Sequence, residues 1–237
     1  MRRSGLFAVI AAVVLVVGGA GAQSQKPFKP SVKYYVNCGN LYAQNGDLDK
    51  AIRNYDQAIA INPGAMVPWH NRGLALEQKG RHDDAIKSFT KAISLNPKSA
   101  ESFFQRGVSW NAKGVLDKAL ADYSKANAIS PRDPDVLYNR GLVWYKKGSY
   151  DKAVADFTSV AKLSPRDPMA FYNRGLAWFQ KGRWDNAIND FSKTVALDPN
   201  NAKAWYNRGL AWNKKGNKAK AKADFQKANR LDRTLKD

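Results

Sequence analysis

Apolar residues recur at helical spacing between Pro168 and Lys181, at Phe171, Leu176, Trp178 and Phe179. A second apolar face follows, formed by Ala187, Ile188, Phe191 and Val195, and it ends at Asp198-Pro199-Asn200. Asp167-Pro168 supplies an N-cap residue followed by proline at the first helical position. Lys181-Gly182 supplies a cation for the negative helix end and a glycine for a left-handed cap. The second helix is expected to open near Asp185, with Trp184 placed to staple onto its next turn. The pattern predicts a hairpin of two helices. One such hairpin cannot bury both apolar faces, so neighbours must stack on it.

Those neighbours are written along the chain. Tyr172-Asn173-Arg174-Gly175-Leu176-Ala177-Trp178 returns as Tyr138-Asn139-Arg140-Gly141-Leu142-Val143-Trp144 and as Tyr206-Asn207-Arg208-Gly209-Leu210-Ala211-Trp212. Looser copies are His70-Asn71-Arg72-Gly73, Phe104-Gln105-Arg106-Gly107 and Val36-Asn37-Cys38-Gly39. The glycines fall 34 residues apart. Six units, 32–65, 66–99, 100–133, 134–167, 168–201 and 202–235, run without a break. A fixed period of this size marks a solenoid with no single central core.

Positions within a unit are numbered here as places one to thirty-four. Place four holds Tyr35, Trp69, Phe103, Leu137, Phe171 and Trp205, and place eight is always Gly. Place eleven holds Tyr42, Leu76, Trp110, Trp144, Trp178 and Trp212, place twenty is always Ala, and place twenty-four is Tyr or Phe. Place thirty-two is Pro in five units and Arg233 in the last. This resembles the tetratricopeptide repeat, with its Trp-x-x-Leu-Gly-x-x-Tyr, Ala-x-x-x-Phe and Pro pattern. The match covers 204 of 237 residues. The resemblance implies an all-α, right-handed superhelical solenoid whose first helices line a concave groove. The tryptophans at places four and eleven read as core.

Two departures stand out. Place seven, usually Leu in the family, is Arg72, Arg106, Arg140, Arg174 and Arg208. A half-buried guanidinium needs a partner, and Asp122, Asp156, Asp190 and Asp224 at place twenty-three offer one within or between hairpins. Place six holds Asn71, Gln105, Asn139, Asn173 and Asn207. The resemblance puts this place in the groove, where an amide, with donors and an acceptor, can grip an extended peptide backbone. Phe104, Tyr138, Tyr172 and Tyr206 at place five, with Tyr145 and Phe179 at place twelve, add aromatic walls. The alternative is that Asn and Tyr bond one another. The family's carboxylate-gripping variant, which needs basic residues at places two, five and six of particular units, is a poorer match, since place two here is Lys33, Val67, Glu101, Asp135, Met169 and Lys203.

The ends change the picture. Met1-Arg2-Arg3, the apolar run Leu6 to Val17 and Ala20-Gly21-Ala22 read as a signal peptide over 1–22, followed by a Pro-containing tether over 23–31. The expectation is export to the periplasm or beyond, with no transmembrane span in the mature chain. An uncleaved anchor is the alternative, although the run falls short of the ~20 residues a span needs. Residues 236–237 close the chain. The net charge of +19 becomes +17 without residues 1–22, which carry two Arg and no acid, leaving 37 basic against 20 acidic residues. Lys214, Lys215, Lys218, Lys220 and Lys222 form its densest part. Such an excess attracts anionic partners. An anionic envelope component fits, whereas the leader argues against nucleic acid.

Cys38 is the one cysteine, so no internal disulfide forms. His70 and His82 carry no motif, metal-ligand spacing is absent, and the glycines are explained by the repeat. No cofactor or catalytic chemistry is expected. Two readings follow: a scaffold binding a protein or peptide segment in its groove, or an electrostatic adaptor docking through its basic last unit.

Overall fold

The computed structural model describes residues 29–235. The expected leader 1–22, the tether as far as residue 28, and residues 236–237 lie outside the described residues. Every regular element among the described residues is an α-helix. In chain order they are α1 (Val32–Gln44), α2 (Leu48–Ile61), α3 (Met66–Gln78), α4 (His82–Leu95), α5 (Ala100–Ala112), α6 (Leu116–Ile129), α7 (Pro134–Lys146), α8 (Tyr150–Leu163), α9 (Pro168–Gln180), α10 (Trp184–Leu197), α11 (Ala202–Lys214) and α12 (Lys218–Leu231). First helices start at place one of every unit, and second helices span places seventeen to thirty.

Local chemistry sets these ends. Asp133 Oδ1 accepts from the Asp135 and Val136 N–H groups, and Asp167 Oδ1 from that of Met169, so the orphan donors of α7 and α9 are met. Gly182 adopts φ 69°, which only glycine does without cost. The Gly182 and Arg183 N–H groups then turn back onto the Phe179 and Trp178 carbonyls, each at 2.9 Å. Trp184 is the first residue of α10, and its ring packs edge-on against Phe179 at 4.9 Å across this turn.

The core is laid between hairpins. Ala187 and Phe191 are fully buried, together with Ile188 and with Ala211 of the next unit. A Cβ on Gly175 would lie 2.8 Å from Phe191 Cε1, so glycine at place eight is what lets that ring lie under the first helix. The tryptophans require a correction. They are half-buried and border the core rather than fill it. The Lys118, Lys152 and Lys220 ammonium groups sit 4.3 Å over the Trp110, Trp144 and Trp212 rings, and Trp69 and Trp205 donate their indole N–H to the Pro63 and Pro199 carbonyls. An indole needs a partner for its N–H, and the unit edge provides one.

Two charge ladders staple the stack. Arg106, Arg140, Arg174 and Arg208 each grip the Asp at place twenty-three of their own unit through two parallel bonds of 2.7–2.9 Å. Arg106, Arg174 and Arg208 also reach Thr90, Thr158 and Ser192 of the preceding unit. Arg72, whose own unit offers Ser88, takes Asp56 of the preceding unit as well. The contacts are therefore both within and between hairpins. The second ladder joins Lys79, Lys113, Lys147, Lys181 and Lys215 to Asp49, Asp83, Asp117, Asp151 and Asp185, always one unit back.

Candidate functional site

First helices α7, α9 and α11 bring the place-five tyrosines and the place-six amides together. Asn173 Nδ2 donates to Tyr138 Oη at 2.8 Å and to the Met169 carbonyl at 3.0 Å. Asn207 Nδ2 does the same with Tyr172 Oη at 3.0 Å and the Lys203 carbonyl at 2.9 Å. The backbone carbonyl can only accept, so it fixes which end of each amide points at it. Both amide hydrogens are spent, and each Oδ1 makes no hydrogen bond among the described residues. The tyrosine hydroxyls accept from asparagine and keep their own proton. Burial raises the Tyr138 and Tyr172 phenols, against the pull of the asparagine bonds, so both stay protonated at neutral pH. The Tyr–Asn pair thus offers one acceptor and one donor. The donor belongs to tyrosine rather than to the asparagine amide.

The rings are held from behind. Tyr138, Tyr172 and Tyr206 lie 5.9, 5.9 and 5.4 Å from Phe157, Phe191 and Phe225. Phe104 lies 5.8 Å from Tyr123. At place twelve, Tyr145 packs edge-on against Tyr150 and accepts from Gln180, and Phe179 packs against Trp184. Rings packed in this way have less rotamer freedom left to lose on binding.

The earlier units are bonded differently. Asn71 Nδ2 and Tyr55 Oη both donate to Asn40 Oδ1, and these three residues line a cleft between α1 and α3 with Leu74. Burial pushes the Tyr55 phenol up to about 12. Gln105 donates to Glu101, and Asn139 Nδ2 donates to the Asp135 carbonyl of its own helix. His70 meets Ser102, and Glu77 accepts from Ser109 and lies in hydrogen-bond range of His82. Asn40, the inter-unit Lys–Asp ladder and the Ser109 contact of Glu77 are not among the sequence-based expectations. The recurrence of Lys at place fourteen and Asp at place eighteen was the available signal for the ladder.

The five lysines at the last turn are not equivalent. Lys215 is paired with Asp185, and Lys220 sits over Trp212. Lys214, Lys218 and Lys222 are exposed without an ion pair among the described residues. Lys222 occupies place twenty-one, which Ile52, Ile86, Leu120, Val154 and Ile188 fill with buried apolar side chains elsewhere. No helix of the described residues is long and apolar enough to cross a membrane. Nor is any group of three His, Cys, Asp or Glu gathered there for a metal ion.

Comparison with known families returns a TPR repeat model over residues 39–80, 111–148, 143–182 and 177–216. Two tetratricopeptide repeat models match 68–99 and 202–235. No curated protein sequence matches significantly. Among solved structures, YrrB, described as a TPR protein with an unusual peptide-binding site, is 24% identical over 76% of this chain and 92% of its own, with a TM-score of 0.70. The MamA protein is 27% identical over 73% of this chain and 94% of its own, at 0.67. A tetratricopeptide repeat protein from Parabacteroides merdae is 22% identical over 88% and 81%, at 0.72.

Proposed function

Since the chain belongs to the tetratricopeptide repeat family, we propose that it is a non-catalytic scaffold whose first-helix groove binds an extended peptide or protein segment. The observation that carries this reading is the Tyr–Asn pair repeated between units four and five and between units five and six. Each pair leaves one acceptor, Asn Oδ1, and one protonated tyrosine hydroxyl, the kinds of group that successive peptide N–H and C=O groups need, without reading side chains. Adjacent first helices pack about 10 Å apart, close to three residues of extended chain at ~3.3 Å each. Peptide binding is stated for YrrB, which shares the fold. The leader-like residues 1–22 favour a place in the periplasm or cell envelope.

A second reading rests on Lys214, Lys218 and Lys222, which pair with no carboxylate among the described residues. An acidic protein or an anionic envelope component would dock there. The two readings separate in one experiment. Peptides selected from a random library are titrated against the chain, against Asn139→Ala/Asn173→Ala/Asn207→Ala, and against Lys214→Ala/Lys218→Ala/Lys222→Ala, across ionic strength. The groove reading expects the asparagine variant to lose most affinity with little salt dependence. Loss confined to the lysine variant, with a steep salt slope, favours the second.

A further inference from the structure

The seam between units three and four breaks the internal bonding of the groove in a specific way. Between units one and two, Asn40 Oδ1 accepts from Tyr55 Oη at 2.8 Å and from Asn71 Nδ2 at 2.9 Å. Units three and four keep the outer members and lose the middle one. Tyr123 stands where Tyr55 does and Asn139 where Asn71 does, but place nine holds Val108 instead of Asn40. Place five holds Phe104, so no tyrosine hydroxyl meets Asn139 as Tyr138 meets Asn173.

Two polar groups are left over. Tyr123 is fully buried, and its Oη has no hydrogen-bond partner among the described residues. Asn139 carries the same tether as Asn173 and Asn207, from Nδ2 to the carbonyl four residues back, at 2.9 Å. Its second amide hydrogen and its Oδ1 bond to nothing among the described residues. Phe89, Phe157, Phe191 and Phe225 show that place twenty-four works without a hydroxyl. A buried unbonded hydroxyl is costly, and its presence asks for a reason.

We propose that this seam receives an Asn or Gln side chain of the bound peptide. Its carbonyl oxygen accepts from Tyr123 Oη and Asn139 Nδ2, as Asn40 Oδ1 does from Tyr55 and Asn71, and its NH2 faces Asn139 Oδ1. The chain itself displays the bound chemistry two seams away. Tyr123 has no exposure in the free chain, so a peptide backbone lying on the groove does not reach it, and an incoming side chain reaches its hydroxyl by displacing Phe104 and Val108, which pack against the cluster that holds it. The exposed carboxylates of Glu101 and Asp135, both at place two beside this seam, disfavour Asp or Glu in the same position. Lys and Arg carry donors only, so they can meet Asn139 Oδ1 but leave the Tyr123 O–H and the second Asn139 N–H without an acceptor. This inference rests on the groove reading above.

The test pans a random dodecapeptide library against the whole immobilised chain. Asn and Gln are expected to rise several-fold at one position of the selected peptides, with Asp and Glu depleted there. Val108→Asn should abolish that enrichment, because the introduced amide bonds Tyr123 and Asn139 internally. Tyr123→Phe should reduce it while leaving the thermal midpoint of the free chain undiminished, since no hydrogen bond is removed. Replacing the Asn or Gln of the strongest peptide by Leu should raise Kd about tenfold on the unaltered chain and less than about twofold on either variant. Peptides selected without the enrichment, or with equal enrichment on the Val108→Asn chain, overturn this proposal and leave the groove standing. Failure of the unaltered chain to select any peptide overturns both.

Discussion

Arg174 and Asp190 meet across one hairpin through two parallel bonds, Nε to Oδ2 at 2.8 Å and Nη2 to Oδ1 at 2.7 Å. Burial pulls the Asp190 carboxyl up, and Arg174 pulls it down. The guanidinium is held above its already high range by Asp190, so it keeps its charge at neutral pH.

Cutting this pair on one side should cost more than removing it whole. Asp190→Ala strands a mostly buried guanidinium and is expected to lose about 3 kcal/mol. Arg174→Leu/Asp190→Ala, which restores the family's apolar place seven, should recover most of that loss. Urea unfolding followed by helix content checks both. Equal losses in the single and double variants would show that the pair does not hold the hairpin.

Gly175→Ala should destabilise by about 1–3 kcal/mol through overpacking against Phe191. Adding Phe191→Leu should relieve part of it, because the clash is with the ring. Thermal unfolding of both variants, with Phe191→Leu alone as the control, reads this out.

The Lys–Asp ladder should contribute little at each rung. Asp117 is 84% exposed opposite Lys147, so Asp117→Ala is expected to change stability by at most about 1 kcal/mol, and by less as salt is added. A large, salt-independent loss would mean that the ladder, rather than apolar stacking, holds the units together.

His70 makes the stack acid-sensitive at one seam. Burial lowers its imidazole, and Glu101 nearby pulls the other way. The unfolded chain takes up this proton near its ordinary pKa of about 6.5, and the folded chain takes it up only at lower pH. The contribution is whole above that ordinary value and is lost as pH falls through the folded value. His70→Phe, the residue type unit three uses at place five, should lose less thermal stability between about pH 7.5 and about pH 5 than the unaltered chain. An unchanged difference would show that other groups set the acid limb.

The hairpins were legible because both periods lie within one unit. Gly175 and Phe191, Arg174 and Asp190, and Asp167 and Pro168 all sit close in sequence and recur together. What was not legible belongs to stacking. Lys181 looks like a helix-end cation and Asp151 like a first-turn acid, yet they meet because units are superposed. The half-burial of Trp178 has the same origin, since its outer edge depends on where the next hairpin stops. From its chemistry alone Asn173 is a donor and acceptor pair, but in the stack its N–H groups are consumed by Tyr138 and Met169. Apolar periodicity carries no record of such polar bonds between units.

The central claim is that the partner lies along the first helices. It is tested most directly by following the side-chain amide resonances of Asn139, Asn173 and Asn207 by NMR while a library-selected peptide is titrated into the isotope-labelled chain. The account predicts that these three amides shift together and saturate at one stoichiometry, while the backbone amides of α12 stay in place. Perturbations confined to Lys218–Leu231, with the asparagine amides unmoved, would contradict it.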